Sequence, residues 1–432
     1  MKFGLFYELP VPKPWHEDTE SRLFHQALDQ IELADRLGFD YVWEVEHHFL
    51  EEYSHSGAPE VFLAAVSQRT NSIRLGHGVT LTPPGYNHPA RLAERVATLD
   101  LVSRGRVDWG TGESATLIEM DGFGIDREQK TRMWREGTEQ AANMMAMTPY
   151  PGFEGEYFSM PCRNVVPKPV QKPHPPLWMG CSRRESILRA ARAGVGALVF
   201  GFVEPDQAAE WVRDYYAIIK SDECVPIGHS VNANIAAVSS LSVHEDEQEA
   251  VRRGLDGFRF FGYSLAYYVS FGEHKPGRAD IWGRFEPLRE QMPDNAGRGG
   301  IGTPEQVRSH LEAYDKVGMD QMIFVQQHGK NRHEHICECL GLFASEIMPR
   351  FKAAEPEREA RKAEELAPWI KAALARKPRM EMPADEDLPV IKSMARALED
   401  AGQSPGNAYV DPTRGGGIPL PRQEPVAPPG DE

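Results

Sequence analysis

Hydrophobic residues along this chain recur with two alternating periods, one typical of buried strands and one typical of amphipathic helices. The opening run from Lys2 to Tyr7 has strand composition, and apolar residues from Leu23 to Leu37 then follow helical spacing until Gly38 ends the helix. The stretch 39–45 returns to strand composition. The same alternation predicts further strands at 73–81, 106–111, 177–179, 197–200, 231–238 and 321–325.

Segments with helical spacing separate these strands. They predict helices at 60–68, 89–101, 128–145, 185–193, 205–219, 245–253 and 304–316, and a last helix from about 333 to 351. Eight strand–helix units imply an α/β fold with a parallel sheet and right-handed crossovers. A (β/α)8 TIM barrel is the simplest arrangement of eight units, and a doubly wound open sheet is the alternative that the spacing leaves open.

Two segments interrupt the rhythm and predict insertions after the fourth helix and after the seventh strand. Residues 149–176 are rich in Pro and Gly, and residues 258–302 open on an aromatic run. Because loops after barrel strands face the active site, this run predicts either the local core of the insertion or an apolar lid over a substrate pocket. Its aromatic residues are Phe258, Phe260, Phe261, Tyr263, Tyr267, Tyr268 and Phe271.

The C-terminal part of the chain changes in composition. We expect a barrel domain at 1–352 and a charged helical extension at 353–402. The stretch 403–432 is dominated by Gly, Pro and polar residues, which cannot bury enough apolar surface to fold, so we expect it to be disordered.

Composition narrows the functional classes. Of the 432 residues, 41% are hydrophobic, which is typical of a globular protein. Acidic residues outnumber basic ones by 64 to 48, and the net charge of −16 disfavours nucleic acid and anionic membranes as partners. No apolar run approaches the roughly 20 residues that span a bilayer. We expect no signal peptide, and five irregularly spaced cysteines indicate free thiols in the cytoplasm.

Candidate chemistry lies at the ends of the predicted strands, where a barrel exposes side chains to its active site. The second strand ends in Glu46-His47-His48-Phe49. A carboxylate beside two imidazoles can fix one tautomer of a histidine and shift its pKa. The alternative is that the adjacent histidines only cap the strand and bond to backbone.

Small residues mark the ends of three further strands. Gly78 and Gly112 leave room for a flat ligand to approach the backbone. The fifth strand runs through Gly180 into Ser182-Arg183-Arg184-Glu185-Ser186, at a predicted helix start. Free N–H groups, hydroxyls and an arginine suit a phosphate there, and a capping box formed by Ser182 and Glu185 is the alternative.

Two other motifs carry less weight. The stretch 297–302 matches a dinucleotide-binding fingerprint, but no strand precedes it. Histidines and cysteines cluster at 333–339, yet on a helix only His333 with Cys337 and His335 with Cys339 share a face. Four zinc ligands would have to converge, so the pattern favours a core-facing helix and no metal site.

In combination these segments resemble the bacterial luciferase-like, FMN-dependent monooxygenase family. The matching pieces occur in family order over about residues 1–350, and the segment Glu46 to Phe49 is the most specific of them. The others are Met1 to Gly4, Gly76 to Pro83, Asn87 to Arg91, Ser103 to Arg106, Gly180 to Ser186 and Gly302 to Glu305.

The resemblance implies an enzyme in which reduced FMN and O2 give a flavin hydroperoxide that oxygenates a small hydrophobic substrate. His47 is then the catalytic acid–base residue. Glu46 would lie against the flavin, and Gly78 and Val79 would lie beneath it, often joined in the family by a cis peptide. A separate flavin reductase and a homodimer are also implied. The implied cofactor-binding residues are Glu46, Gly78, Val79, Gly112, Gly180, Ser182, Arg183 and Ser186.

The chain departs from the family at two positions. Glu113 stands where the family often has an arginine that reaches the FMN phosphate, so we expect Arg183 to supply that charge. Gly112 replaces the reactive cysteine of the true luciferases, so light emission is not implied. A deazaflavin-dependent dehydrogenase on the same barrel is one alternative, and a non-catalytic flavin-binding protein is another. The presence of His47 disfavours the non-catalytic binding protein.

Overall fold

A computed structural model describes residues 1–292 and 298–402. Residues Met1–Glu381 form one compact unit, and the described residues from Met382 onward belong to a second. The tail predicted at 403–432 and the first residue of the fingerprint at 297–302 lie outside the described residues. No helix in the described ranges is long and apolar enough to cross a membrane.

Eight parallel strands close into a barrel. Each strand pairs with the next strand along the chain, and the last strand pairs with the first, for example Phe6 with Val325. The predicted α/β TIM barrel is therefore confirmed, and the open sheet is excluded. The strands are β1 Lys2–Tyr7, β2 Tyr41–Glu44, β3 Arg74–His77, β4 Val107–Gly112, β5 Leu177–Cys181, β6 Gly196–Val199, β7 Ile235–Ser240 and β8 Gln321–Val325.

Helices follow the strands and cover the outside of the barrel. Gly38, with a φ of 91°, ends the first helix as predicted, and its N–H bonds to the carbonyls of the last turn. The helices of the first unit are α1 Thr19–Leu37, α2 Pro59–Arg69, α3 Pro89–Val102, α4 Leu117–Phe123, α5 Lys130–Ala146, α6 Arg184–Arg192, α7 Pro205–Ile219, α8 Glu247–Ala266, α9 Ile281–Phe285, α10 Pro304–Lys316, α11 His333–Glu346 and α12 Met348–Arg376. The second unit contains α13 Met394–Asp400.

Alternation along the strands divides the core into two parts. On β1, Phe3 and Leu5 pack outward with the helices, whereas Phe6 packs inside the barrel. Trp43 and Trp178 meet edge to face inside the barrel, with ring centroids 5.3 Å apart. The interior is therefore a packed core, and a site can form only at the mouth where the strands end.

Two predicted strands have different bounds in the structure. The third was expected to run from 73 to 81, but β3 ends at His77, and Thr80–Leu81 forms a separate short strand on β4. The Gly78 N–H donates to the carbonyl of Glu44 at 2.7 Å, and the chain turns at that point. The seventh strand begins at Ile235 instead of 231, because the Asn232 side chain bonds to the carbonyl of Leu177.

The aromatic run lies on a helix that is longer than predicted. The helix expected at 245–253 continues through α8 to Ala266 and into a π-helical turn, Tyr267–Phe271. The aromatic residues themselves follow helical spacing, which extends the helix. Phe261 and Tyr268 join the apolar cluster at the barrel interior, while Phe260 packs with α9. The local-core interpretation therefore holds for one face, and the other face lies at the mouth.

The other insertion and the predicted last helix also take definite forms. The Pro- and Gly-rich segment contains an antiparallel hairpin of Tyr150–Glu154 with Ser159–Arg163. The helix predicted at 333–351 is two helices, because the chain turns at Ile347. On α11, Cys339 is buried, as expected of a core-facing helix, and no metal-binding cluster occurs among the described residues.

The charged extension begins inside a helix that packs on the barrel. The boundary predicted after residue 352 falls within α12. Leu366 of α12 is buried, and Lys362 donates to Asp320, directly before β8, at 2.8 Å. Since Asp320 lies at the opposite end of the strands from the mouth, α12 covers the end of the barrel away from the candidate site.

Candidate functional site

The loop after β2 carries the histidine motif into the barrel mouth. Two backbone bonds fix it: Glu46 N donates to Val79 O at 3.0 Å, and His47 N donates to Ser56 O at 2.9 Å. Only 20% of the His47 side chain is exposed. His47 is thus held at the end of the second strand, where the sequence predicted it.

Two buried carboxylates flank the imidazole of His47. Its Nδ1 lies 3.0 Å from Oε1 of Glu119, and its Nε2 lies 3.6 Å from Oε2 of Glu8. The hydroxyl of Tyr53 donates to the other oxygen of Glu8 at 2.9 Å. Both carboxylates are closed off from solvent, so little water screens their charges from the ring.

These contacts decide the charge of the site. Burial alone lowers the pKa of His47, but the charges of Glu119 and Glu8 outweigh burial and raise it to about 9. Burial raises the pKa of Glu119, but the His47 charge and its hydrogen bonds lower it to about 2. Burial raises the pKa of Glu8 to about 7, against the opposing effects of His47 and Tyr53. At neutral pH His47 is therefore an imidazolium that donates from Nδ1 to the Glu119 carboxylate.

Glu119 lies on α4, a helix that the sequence analysis missed. Thr116 caps this helix, and its hydroxyl donates to Oε2 of Glu119 at 2.7 Å. Ser114 donates to the same oxygen at 2.8 Å, and His48 N donates to Oε1 at 3.0 Å. The carboxylate is therefore fully bonded before any ligand arrives. Thr116 and Glu119 have the spacing of a capping box, which is the signal that could have predicted both.

Glu8 is the second residue that the sequence analysis missed. It directly follows β1, a position at which a barrel strand exposes its side chain to the mouth. Only 3% of Glu8 is exposed, and its Oε2 has no hydrogen-bond partner among the described residues. A carboxylate at the end of a predicted barrel strand was the available signal.

Glu46 and His48 tie the motif to its surroundings. Oε1 of Glu46 lies 3.2 Å from Nε2 of His48, and the carboxylate also accepts from Leu81 N at 2.7 Å and Asn87 Nδ2 at 3.0 Å. The His48 ring packs against Phe123 of α4, with centroids 4.9 Å apart. The predicted cofactor-binding residue Glu46 thus has its oxygens engaged by the protein, and it positions His48 and the loop after β3.

Three of the predicted cofactor-binding residues come together on one wall of the mouth. A Cβ on Gly112 would lie 2.3 Å from Val79 Cγ2, and one on Gly180 would lie 3.3 Å from Val79 Cγ1. The two glycines therefore let β4 and β5 lie directly against Val79. The peptide between Gly78 and Val79 is cis, as the resemblance implies.

The predicted phosphate-binding turn precedes α6, and the N-cap of this helix is not the residue that the sequence suggested. Arg183 is the N-cap residue, so Ser182 does not cap the helix with Glu185. The hydroxyl of Ser186 is buried and donates to the carbonyl of Arg183 at 2.6 Å. Ser182 and Arg183 are exposed and available to a ligand, whereas Ser186 is engaged in shaping the turn.

Glu113 is surrounded by cations. Its Oε2 lies 3.4 Å from Nη1 of Arg189. Burial lowers the pKa of Lys130; the charge of Glu113 opposes this, and the positive charges of Arg183 and Arg189 add to it. Glu113 is therefore paired with Arg189, and Lys130 and Arg183 are near enough to affect each other's charge, although Glu113 stands where an arginine was expected.

Comparison with known proteins agrees with this geometry. The profile of luciferase-like monooxygenases matches residues 1–321. The chain belongs to this family. The oxygenase component of a flavin-dependent trigonelline monooxygenase from Acinetobacter baylyi is 24% identical over 372 residues, which cover 83% of this chain and 98% of that protein. The expectation of a flavin-dependent monooxygenase is confirmed at the level of the family.

Solved structures share the fold. Monooxygenase RslO1 from Streptomyces bottropensis is 28% identical, with a TM-score of 0.68, over 81% of this chain and 100% of that chain. The oxygenating constituent of 3,6-diketocamphane monooxygenase from Pseudomonas putida, solved with FMN, is 20% identical, with a TM-score of 0.60, over 81% and 98%. Relatives named as F420-dependent also occur, so the family leaves the choice of flavin to the individual site.

The ion pair of His47 and Glu119 predicts a pH-dependent contribution to stability. Replacing Glu119 with Gln should lower the free energy of unfolding by about 3–5 kcal/mol, because a buried imidazolium loses its counter-charge. The pKa of Glu119 falls on folding from 4.5 to about 2, so its contribution is present above pH 4.5 and lost toward pH 2. The pKa of His47 rises on folding from 6.5 to about 9, so its contribution is full below pH 6.5 and lost through pH 9. Urea denaturation should therefore show the largest deficit between these limits, at pH 4.5 to 6.5.

The exposed pair of Glu32 with Arg69 offers a matched control. Arginine does not titrate in this range, so any deficit of Glu32→Gln should stay constant from pH 6.5 to 9. A Glu119→Gln deficit that also stays constant over this range would show that His47 is not held protonated by Glu119.

Proposed function

We propose that this protein is an FMN-dependent monooxygenase that uses reduced flavin and O2 to oxygenate a small hydrophobic substrate, with His47 as its catalytic residue. The observation that carries the proposal is the His47 ring held between the carboxylates of Glu119 and Glu8 in the barrel mouth. Held in this way, Nε2 keeps a proton at neutral pH and can give it to an oxygen atom that becomes negatively charged.

The mouth fits a flavin. Val79, which packs over Gly112 and Gly180, forms an apolar wall at the ends of β3 to β5. The corner next to this wall, with Arg183, Arg189 and Lys130, suits a phosphate. Reduced FMN bound there would supply the electrons for activating O2, which the protein's own side chains cannot do.

Glu119 and Glu8 have different effects on the protons of the His47 ring. Glu119 fixes the ring orientation and stabilises its positive charge from the Nδ1 side. Glu8, with a pKa of about 7, lies on the Nε2 side and can take up or return a proton there. The pair therefore keeps a proton available at Nε2 through a catalytic cycle.

The aromatic insertion excludes water from this site. Phe261 lies against Tyr53, with ring centroids 5.7 Å apart, and the Tyr268 hydroxyl donates to the carbonyl of Glu51 at 2.8 Å. The N–H groups of Ile281 and Trp282 bond to the Glu52 carboxylate, which ties α9 to the loop after β2. An apolar cover anchored in this way favours a hydrophobic substrate and protects reactive oxygen species from water.

Partners follow from the same proposal. The trigonelline enzyme is named as an oxygenase component, which supports a separate flavin reductase for this chain. The homodimer and the cytoplasmic location expected from the sequence stay predictions. A deazaflavin-dependent dehydrogenase is the second candidate, because F420-dependent proteins are among the relatives.

Replacing His47 with Ala should separate chemistry from folding. We expect substrate oxygenation with reduced FMN to fall by about 10² to 10⁴-fold, the usual contribution of a positioned acid–base group. FMN affinity should stay close to that of the wild type, and the protein should stay folded, because the packed core lies below the mouth. The melting temperature should fall only by the amount that the lost ion pair with Glu119 accounts for, as in Glu119→Gln. Product formation, flavin fluorescence titration and thermal unfolding measure the three quantities.

His48→Ala is the matched control, and its effect on oxygenation should be smaller, because His48 contacts Glu46 and Phe123. A His47→Ala enzyme with full activity would contradict the proposed role. Substrate oxidation by the wild-type protein with oxidised F420 as the hydride acceptor, and without oxygen uptake, would replace the monooxygenase by the dehydrogenase. Binding of FMN without turnover on any tested ketone, aldehyde, amine or terpene would favour a binding protein.

The phosphate corner makes a second prediction. Arg183→Ala should weaken FMN binding at least several-fold, because it removes an exposed cation beside the turn. Glu113→Gln should not weaken it, because Glu113 is paired with Arg189 and a negative charge there cannot attract phosphate. Flavin fluorescence titration measures both dissociation constants. The reverse ranking of the two variants would place the phosphate elsewhere.

A further inference from the structure

Two polar side chains reach the mouth beyond the apolar interior of the barrel. Phe6 on β1 and Val325 on β8 both pack inside the barrel and pair in register. Two residues further along the chain come Glu8 and Gln327, just beyond the ends of β1 and β8. Glu8 reaches His47 at the mouth, and Gln327 lies at the same end of the neighbouring strand.

Gln327 is buried, and its carboxamide has no hydrogen-bond partner among the described residues. Only 5% of the residue is exposed, and both Nε2 and Oε1 lack a partner there. Its neighbour Gln326 is half paired: its Nε2 donates to the hydroxyl of Tyr7 on the outward face, at 3.3 Å, while its Oε1 has no partner among the described residues. Buried polar groups in native proteins are nearly always paired, so an unpaired carboxamide at a site indicates a ligand.

The position of Gln327 assigns that ligand to the substrate. In the closed ring of eight strands, β8 lies opposite β4, which belongs to the wall of Val79, Gly112 and Gly180 proposed for the flavin. On its own side, Gln327 is followed by His328, whose ring lies 5.7 Å from that of Phe261 on the apolar cover. Gln327 therefore lies at the end of the strand next to that of Glu8, directly before a residue that packs on the cover, and on the side away from the flavin wall.

We propose that Gln327 binds a paired donor and acceptor on the substrate, such as a primary amide or lactam edge on an otherwise apolar skeleton. A carboxamide presents an N–H donor beside a carbonyl acceptor, so its best complement presents the same two groups in reverse order. The inference rests on the proposed function, because it places the substrate in that site. It narrows the expected substrate from any small hydrophobic molecule to an apolar molecule with one polar edge.

Three probes of nearly equal shape test this inference. Benzamide carries a donor and an acceptor, acetophenone carries an acceptor only, and isopropylbenzene carries neither. Calorimetric titration of the full-length protein, with and without oxidised FMN, should give at least about tenfold tighter binding for benzamide than for isopropylbenzene. Without a polar partner the order would reverse, because isopropylbenzene is the most hydrophobic of the three.

Gln327→Met removes the polar atoms at similar volume, and it should abolish the preference for benzamide while leaving the affinity for isopropylbenzene and FMN within about twofold. Gln326→Met is the matched control and should retain the preference. If a variant fails to fold, the wild-type series decides alone. Equal binding of the three probes, no binding of benzamide, or a loss of FMN affinity in Gln327→Met overturns the inference. These results do not depend on turnover, so they are separate from a failure of the monooxygenase proposal, which shows as absent oxygenation.

Discussion

The contact between Nδ1 of His47 and Glu119 is the interaction on which the rest of the site depends. It joins the loop after β2 to α4, 72 residues further along the chain. Neither group is stable alone in this place, because a buried charge without a counter-charge is costly. The Glu119 carboxylate also accepts hydrogen bonds from the hydroxyls of Ser114 and Thr116 and from the backbone N–H of His48. Losing this carboxylate would therefore leave several donors unpaired.

Around that pair, the barrel mouth divides into two halves with different chemistry. Val79, Gly112 and Gly180 provide an apolar wall at the ends of β3 to β5, with Arg189 and Glu113 paired nearby. Just beyond β1 and β8, Glu8 and Gln327 provide buried polar atoms that lack a hydrogen-bond partner among the described residues, near the aromatic cover. His47 lies where the two halves meet. A cofactor on one side and a substrate on the other would therefore both be within reach of its Nε2.

The sequence predicted the parts of this arrangement that depend on local pattern. Each barrel strand has a recognisable apolar run, and Glu46 to Phe49 follow the second of these runs. The barrel and the position of His47 could therefore be predicted from the sequence. Glu119 was missed because α4 has only seven residues, too few for a helical period to stand out. Gln327 could not be recognised, because its importance comes from strand register and from the lack of a partner. Both properties exist only once the sheet has closed.

The charge of His47 is the central claim, and it can be measured directly. Protein carrying isotope-labelled histidine can be titrated by NMR, with His47→Ala identifying the resonance. We predict that His47 titrates near pH 9 in the wild type and moves toward 6.5 in Glu119→Gln, because the counter-charge is gone. A wild-type resonance that already titrates near pH 6.5 would contradict the account, since His47 would then be largely neutral at pH 7 and would hold no proton at Nε2 under the control of Glu119.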